Sequence, residues 1–298
     1  MVPLFCKTAV KPLPADIPTT GASDAGTLLC AMDPHDRDEE QVQHHIAQEV
    51  EQDVEGLHPG MTDLTEERAT AIHAGRAPDD LATKIMTTPD PQTGRCFSPA
   101  EMVDQVAIFF LAGHETSASA LAWALYLLAL FPDVQTRARA EAQALPENPT
   151  FSDISRLGFL RDIFRETLRL YPPVPMMVRE NRCPVEFRGR DIAPGAQIVL
   201  SPWHVHRHER FWDRPDHFDP DRWQTSQGRT AARAAWFPFS SGPRVCPGAG
   251  FAMIEGPLIL ALLLRAFRFA TAGPEPVPVA HLTVRSRCGI WLSVTPAE

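Results

Sequence analysis

Apolar positions recur at helical spacing in three long segments of this chain. The first opens with SPAE, in which Ser98 is placed to cap a helix, Pro99 takes its first position and Glu101 completes a capping box. No proline follows until Pro132. The pattern therefore predicts one helix of about thirty residues, roughly 45 Å long. Such a helix crosses a whole domain.

Two further segments share this periodicity. In LGFLRDIFRETLRLYPP the apolar residues form one stripe that ends at Pro172 and Pro173, which predicts a second helix. EGPLILALLLRAFRF is apolar almost all round, so we expect a largely buried third helix. VEFRGRDIAPGAQIVLSPW is typical of a small sheet, and the tail HLTVRSRCGIWLSVTP alternates like a closing hairpin. The expected fold class is mainly α with small β-sheets.

The centre of the first helix departs from its own pattern. Its length and apolarity also fit a membrane span, but His114 and Glu115 lie at the centre. A charged residue costs about 3 kcal/mol there on insertion scales. Gly113 beside them lowers helix propensity by about 1 kcal/mol relative to Ala. We therefore expect a buried central helix and no membrane span, and polar residues in such a place are typical of a functional site.

The first eighty residues differ in composition from the rest. They hold 16 Asp and Glu against 5 Lys and Arg, a net charge of −11, whereas the remainder holds 21 against 23, a net charge of +2. We expect residues 1–80 to be a weakly ordered or diverged segment, with one short helix near residues 39–54 and a solvated His44 and His45 pair. Residues 81–298 are expected to form the folded domain.

Charge and cysteine content limit the partners and the compartment. The formal net charge of −9 argues against a nucleic acid partner, because phosphate binding needs excess Lys and Arg. The cysteines, at positions 6, 30, 96, 183, 246 and 288, form no CxxC pair, and no apolar leader is apparent. We therefore expect free thiols and a cytoplasmic location.

One cysteine stands in a loop rich in glycine and proline, FPFSSGPRVCPGAGFAMIEG. The amides of the helix that follows and Arg244 both favour a thiolate at Cys246. A thiolate is a nucleophile or a metal ligand. No histidine base forms a matching motif, and an axial ligand of haem iron needs no second protein ligand. From the loop alone, haem ligand, nucleophile and structural cysteine all remain open.

Two other groups of polar residues have plainer interpretations. Glu166 and Arg169 share one helix face, and a buried pair of this kind needs further partners, for which Arg222 in FDPDRW is a candidate. HVHRH at residues 204–208 lacks the carboxylate or cysteine of a metal site, so surface or structural histidines are favoured. HETSA is not the HExxH of zinc proteases, because Ala118 replaces the second histidine.

Four motifs in order resemble those of the cytochrome P-450 haem-thiolate monooxygenase family. They are AGHET at 112–116, ETLR at 166–169, FDPDRW at 218–223 and FSSGPRVCPG at 239–248. The last matches the family pattern F-x-x-G-x-R-x-C-x-G at all five specified positions. The resemblance runs from about Leu81 to the C-terminus. It implies a cytochrome P-450 fold and haem b with Cys246 as its axial thiolate.

The resemblance also implies roles on the cysteine side of the haem. Phe239 would pack beside the sulfur, and Gly242 and Gly248 would permit the tight loop. Arg244 and Arg179 would pair with the haem propionates, because guanidinium groups match carboxylates. Glu166, Arg169 and Arg222 would form a buried structural brace.

On the opposite side the resemblance implies the oxygen site. Ala112 and Gly113 would leave a groove for O2, Thr116 would offer a hydroxyl there, and Glu115 would relay protons from solvent. An apolar substrate pocket would be lined by four further residues, which fit an ordinary core equally well: Ile108, Phe109, Met176 and Met177.

The expected activity is insertion of one atom of O2 into a small apolar organic substrate. Electrons would come from a separate ferredoxin or flavodoxin-type donor with its reductase, steered by Arg137, Arg139, Arg161 and Arg165. The W-x-x-x-R motif that family members carry ahead of the central helix is missing before Ser98, so we expect an N-terminally truncated or diverged fold. The alternative hypothesis is a haem-binding or inactive remnant without turnover.

Overall fold

Helices dominate the fold, as the apolar periodicity predicts. The computed structural model describes residues 60–91, 93–280 and 282–297. The helices are α1 (residues 60–73), α2 (Leu81–Thr87), α3 (Pro99–Leu130), α4 (Pro132–Gln143), α5 (Phe151–Ile154), α6 (Gly158–Leu170), α7 (Pro202–Val205), α8 (Ser226–Ala235) and α9 (Ala249–Ala266). The helix expected near residues 39–54 and the pair His44 and His45 lie outside the described residues.

The central helix α3 begins and ends where the sequence predicts. The Ser98 hydroxyl accepts the Glu101 amide at 3.3 Å, and the Glu101 carboxylate accepts the Ser98 amide at 2.8 Å. This capping box satisfies two amides that the helix itself leaves unpaired. After 32 residues the helix ends at Leu130, two residues before Pro132 opens α4.

The core is built where α3, α4, α6 and α9 pack together. Trp123 of α3 stacks on Tyr171 just after α6, with ring centroids 3.9 Å apart and nearly parallel planes. The α6 and α9 helices approach so closely that a Cβ on Gly256 would lie 2.4 Å from Phe164 Cζ. A glycine is therefore required at this crossing.

The third predicted helix, α9, is less buried than its composition predicts. It begins at Ala249, six residues before the predicted EGPLILALLLRAFRF segment, and its fully buried residues form one face: Gly256, Pro257, Leu260, Ala261 and Leu264. Leu262 on another face is 48% exposed. The expectation of a largely buried helix was wrong, because α9 packs on α3, α4 and α6 through one face.

In the described part of the chain, the strands form four separate antiparallel pairs. The strands are β1 (Met177–Glu180), β2 (Val185–Phe187), β3 (Arg190–Ile192), β4 (Gln197–Leu200), β5 (Phe267–Thr271), β6 (Pro278–Ala280), β7 (Val284–Ser286) and β8 (Leu292–Pro296). The pairs are β1 with β4, β2 with β3, β5 with β8 and β6 with β7. The prediction of small sheets is confirmed, but the prediction that the tail forms a closing hairpin is wrong. Alternating apolar and polar residues predict where strands form but not which strands pair. The last strand, β8, pairs with β5, which directly follows α9.

One helix in the described part of the chain, α9, has the length and hydropathy of a membrane span, with a mean hydropathy of 1.6. The same helix contributes Leu260 and Leu264 to the core. The α3 and α4 helices pass the same test only as a pair bent by 115°. The absence of a membrane span stays a prediction.

Candidate functional site

The ETLR and FDPDRW motifs form a buried brace beneath the cysteine loop. Glu166 accepts Arg169 through both carboxylate oxygens, at 2.9 and 3.0 Å, and Arg222 Nε at 2.8 Å. The first two side chains are fully buried and Arg222 is 7% exposed. Each guanidinium also donates to backbone carbonyls of residues 206–217, and Glu166 accepts the Trp223 indole N–H at 3.2 Å. The expected brace is therefore confirmed, with its charges satisfied as burial demands.

The loop that carries Cys246 is held in a tight turn. Gly242 has φ +71° and Ser240 has φ +65°, so two residues adopt left-handed conformations within three positions. The Cys246 amide donates to the Phe239 carbonyl at 2.9 Å, and the Val245 amide donates to the Gly242 carbonyl at 3.0 Å. These bonds fix the backbone while the Cys246 side chain stays exposed. A glycine at position 242 is required, as predicted.

Gly248 acts through its size and not through its backbone conformation. Its φ of −83° is open to any residue. A Cβ there would lie 3.8 Å from Cys246 Sγ, in van der Waals contact. Any larger side chain would therefore cover the sulfur from the α9 side. The expectation that Gly248 is needed for the turn itself needs this correction.

Two arginines flank the cysteine loop. Arg179 on β1 donates to the Ser240 hydroxyl at 3.0 Å and to the Val178 carbonyl at 2.9 Å. Arg244 is exposed, and its guanidinium has no hydrogen-bond partner among residues 60–91, 93–280 and 282–297. The Phe239 ring packs edge-on against Trp236 at 6.3 Å, on the core side of the loop. The loop thus offers an exposed thiol with guanidinium groups beside it.

His206 ties this loop to the rest of the fold. The ring is fully buried, and Nε2 accepts the Phe237 amide at 3.0 Å, so the neutral ring carries its proton on Nδ1. Burial, together with Arg169 and Arg207, lowers the pKa of His206 to about 3. The structural interpretation of the HVHRH segment is confirmed for this residue. The segment forms a helical turn and the loop after it, so its histidines do not share a strand face.

On the opposite side of the candidate site, α3 runs through AGHET without interruption. The Thr116 hydroxyl donates to the Ala112 carbonyl at 2.7 Å, so its lone pairs are left to accept. A Cβ on Gly113 would meet no atom within 4 Å, which leaves open space beside this turn. The Glu115 carboxylate pairs with Arg285, at 2.9 Å from Nη2.

The two sides are linked where α3 crosses α9. Ser117, the residue after Thr116, donates to the Glu255 carboxylate at 3.3 Å, and Glu255 follows Cys246 by nine residues. An exposed thiol, two arginines joined to its loop and an apolar helix beyond form a donor set that fits a haem with one axial thiolate. Cys246 would bind the iron, and Arg179 and Arg244 would bind the propionates.

The residues expected to contact substrate differ in exposure. Ile108, Phe109 and Met176 are exposed at 57%, 42% and 39%, and Met177 is half-buried. The first three are therefore not ordinary core residues. They supply exposed apolar surface on α3 and next to β1.

One of the four arginines expected to steer a redox partner is not on the surface. Arg139 is 6% exposed and donates to the Leu264 and Phe267 carbonyls, so it joins α4 to the end of α9. Its placement on a docking surface was wrong, because it is buried between α4 and the junction of α9 and β5. Arg137 forms a bidentate pair with Asp221, and Arg165 pairs with Asp162, whereas Arg161 is exposed.

Three residues at this site carry no signal in the sequence. Ser240 has a positive φ although it is not glycine, and Thr283 and Arg285 reach Glu115 across about 170 positions. The alternation of the tail predicts a strand near Thr283 and Arg285 but not the helix that it contacts, and nothing in the sequence predicts the positive φ of Ser240. Contacts over such distances in sequence arise only once the chain has folded.

Comparison with known proteins agrees with this geometry. The family model of cytochrome P450 matches residues 32–286, beginning earlier than the motifs do. Cyclooctat-9-en-7-ol 5-monooxygenase of Streptomyces melanosporofaciens is 35% identical over 201 residues, which cover 67% of this chain and 43% of that protein. Cytochrome P450 4F12 of Homo sapiens is 35% identical over 214 residues, which cover 69% and 40%.

A solved structure gives the same assignment. The cytochrome P450DA heme domain superposes with a TM-score of 0.74 at 31% identity, covering 82% of this chain and 54% of that one. The chain spans less than half the length of the curated relatives named above, at 43% and 40%. The matched region holds the central helix, the brace and the cysteine loop. On these grounds the chain is a member of the cytochrome P450 family.

Proposed function

We propose that this chain acts as a haem-thiolate monooxygenase that inserts one atom of O2 into a small apolar organic substrate. The observation that carries the proposal is the loop in which Cys246 is exposed while its amide is fixed by Phe239. Family membership implies haem b held by a cysteine thiolate, and Cys246 is the cysteine of the matching motif. The haem supplies O2 activation when bound, because a thiolate ligand favours O–O cleavage.

The residues of α3 supply positioning and protons for this reaction. Thr116 donates to the Ala112 carbonyl, so it offers acceptor lone pairs to a group in the open space beside Gly113. Glu115, the neighbouring carboxylate, is 21% exposed and therefore within reach of water. An acid next to an alcohol is suited to moving protons from solvent to a buried acceptor.

The substrate class is proposed from the exposed apolar surface. Ile108, Phe109 and Met176 present large hydrophobic side chains that other parts of the described fold leave uncovered. Burying such surface against an organic molecule is favourable by about 25 cal/mol per Å². A small apolar compound matches this surface better than a charged one.

Electrons are proposed to come from a separate acidic ferredoxin or flavodoxin-type protein in the cytoplasm. Arg161 on α6 and Arg229 and Arg233 on α8 are exposed, and no carboxylate pairs with them within the described chain. Unpaired cations on a surface raise the association rate of an acidic partner. The α6 and α8 helices both pack on the FDPDRW turn, so these cations lie on neighbouring elements.

The test of this function is oxygen incorporation. The purified chain, reconstituted with haem and supplied with a ferredoxin, its reductase and ¹⁸O2, should give a product that carries one ¹⁸O atom. Thr116→Ala should lower product formed per O2 consumed by about tenfold or more, because proton delivery is lost. Thr136→Ala removes a hydroxyl with the same bond to the carbonyl four residues earlier, on α4, and should leave the ratio unchanged.

Two results would overturn the proposal. The first is a haem-loaded chain that consumes electrons without any labelled product across a panel of apolar substrates, which would support the inactive remnant instead. The second is ¹⁸O taken from water and not from O2, which would exclude monooxygenation.

A further inference from the structure

One face of α3 binds the β7 strand over three successive turns. Trp123 Nε1 and Ser119 Oγ both donate to the Val284 carbonyl, at 3.0 and 2.7 Å. One turn earlier, the Glu115 carboxylate accepts hydrogen bonds from the Thr283 hydroxyl and from Arg285 Nε. The Val284 amide donates to the Pro173 carbonyl at 2.9 Å, which also holds this residue of the strand in place. The segment that holds Glu115 is therefore well anchored.

The two oxygens of the Glu115 carboxylate have different surroundings. Oε1 accepts the Thr283 hydroxyl at 2.6 Å and lies 3.0 Å from Arg285 Nε and 2.9 Å from Nη2. For Oε2, no donor lies within hydrogen-bond distance in the part of the chain that the structure describes. One oxygen is thus fixed by three donors, the other accepts from none of the described residues, and the side chain as a whole is 21% exposed.

This arrangement also sets the direction of the carboxylate. Successive residues of an α-helix point about 100° apart, so a Glu115 side chain directed at β7 is turned away from the direction of Thr116. A free glutamate would sample several rotamers with either oxygen outward. The contacts with Arg285 and Thr283 hold the Glu115 side chain in one of these rotamers.

We propose that Arg285 and Thr283 are positioning residues that hold Glu115 Oε1, so that Oε2 alone stays free to exchange a proton with water beside the turn of α3 that carries Thr116. The inference rests on the proposed function, because it assigns residues to its proton supply. In this step one O–H bond forms at Oε2 as one breaks in water, and Oε2 then releases the same proton. No oxidant or reductant is consumed.

The test compares Arg285→Gln with Arg287→Gln, a matched control. Both arginines are exposed and belong to the β7 segment, but only the first contacts Glu115. Arg285→Gln and Thr283→Val should each lower product formed per O2 consumed by about threefold or more, with a matching rise in hydrogen peroxide. Arg285→Lys should recover part of the loss, and Arg287→Gln should match the wild type.

A second readout needs no haem chemistry. In urea unfolding, Arg285→Gln should lower the folding equilibrium constant about threefold in the wild-type background and leave it unchanged in the Glu115→Gln background. The absence of this coupling would overturn the contact itself.

The outcomes separate this inference from the proposed function. If the wild-type chain forms no ¹⁸O product, the proposed function fails, and the assignment fails with it. If the wild-type chain turns over and Arg285→Gln keeps the product-to-peroxide ratio, only the positioning role is overturned. A merely structural role would lower product and peroxide together and leave their ratio unchanged.

Discussion

At the scale of single residues, the motifs locate the chemistry and the structure supplies its supports. Cys246, Thr116 and Glu115 are identified from short patterns, because their surroundings in sequence are distinctive. Ser240 and His206 are not, although the first adopts φ +65° beside Gly242 and the second accepts the Phe237 amide. Their roles depend on the conformation of a neighbouring loop, and the amino-acid composition does not predict that conformation.

His206 makes folding stability sensitive to acid. Its pKa is lowered to about 3 in the folded protein against 6.5 for a free histidine, so the unfolded chain binds more protons between these values. The contribution is present above pH 6.5 and is lost as pH falls toward 3. In urea unfolding, wild-type stability should fall by about 1.4 kcal/mol more per pH unit than that of His206→Gln over this window.

The control for this prediction lies two residues away. His204 is exposed, and its ring contacts the Ser201 hydroxyl at 2.8 Å. His204→Gln removes an exposed imidazole from the same segment and is the matched control. An identical slope in His206→Gln and the wild type between pH 5 and 6.5 would show that His206 is not held neutral.

At the scale of elements, local sequence patterns predict where a helix begins and ends. They do not predict which other helix or strand it packs against or pairs with. The capping box at Ser98 and the proline at 132 set the ends of α3 because both act within one turn. The pairing of β8 with β5, and not with β7, depends on where β5 lies in the fold, which the position of α9 determines. The single buried face of α9 depends in the same way on α4 and α6, which the helix's own sequence does not specify.

Loss of one charge should lower the free energy of unfolding most when the charge belongs to the brace between α6 and the FDPDRW turn. Glu166→Gln leaves Arg169 and Arg222 buried with no carboxylate, which should lower the free energy of unfolding by about 3 to 5 kcal/mol. Glu186→Gln on the exposed β2 strand is the control and should change it by less than about 0.5 kcal/mol. Equal unfolding midpoints for the two variants would contradict the buried brace.

At the scale of the whole molecule, the described residues form a main core, a smaller buried cluster around Trp212 and Trp223, and an exposed cysteine loop. The core joins α3, α4, α6 and α9, and the brace joins α6 to the FDPDRW turn. Cys246 and Ile108 stay exposed beside this core. The fold class and the buried brace were predictable because helix periodicity and the ETLR and FDPDRW motifs are local. The extent of exposure was not, because it depends on everything that packs nearby.

The most direct test of the central claim is the spectrum of the reduced chain with carbon monoxide. Ligation of haem iron by Cys246 predicts the red-shifted Soret band of a thiolate-ligated haem, lost in Cys246→Ala and retained in Cys183→Ala, which removes another exposed cysteine. A chain that binds no haem, a band typical of a neutral ligand, or a thiolate band that survives Cys246→Ala would contradict it.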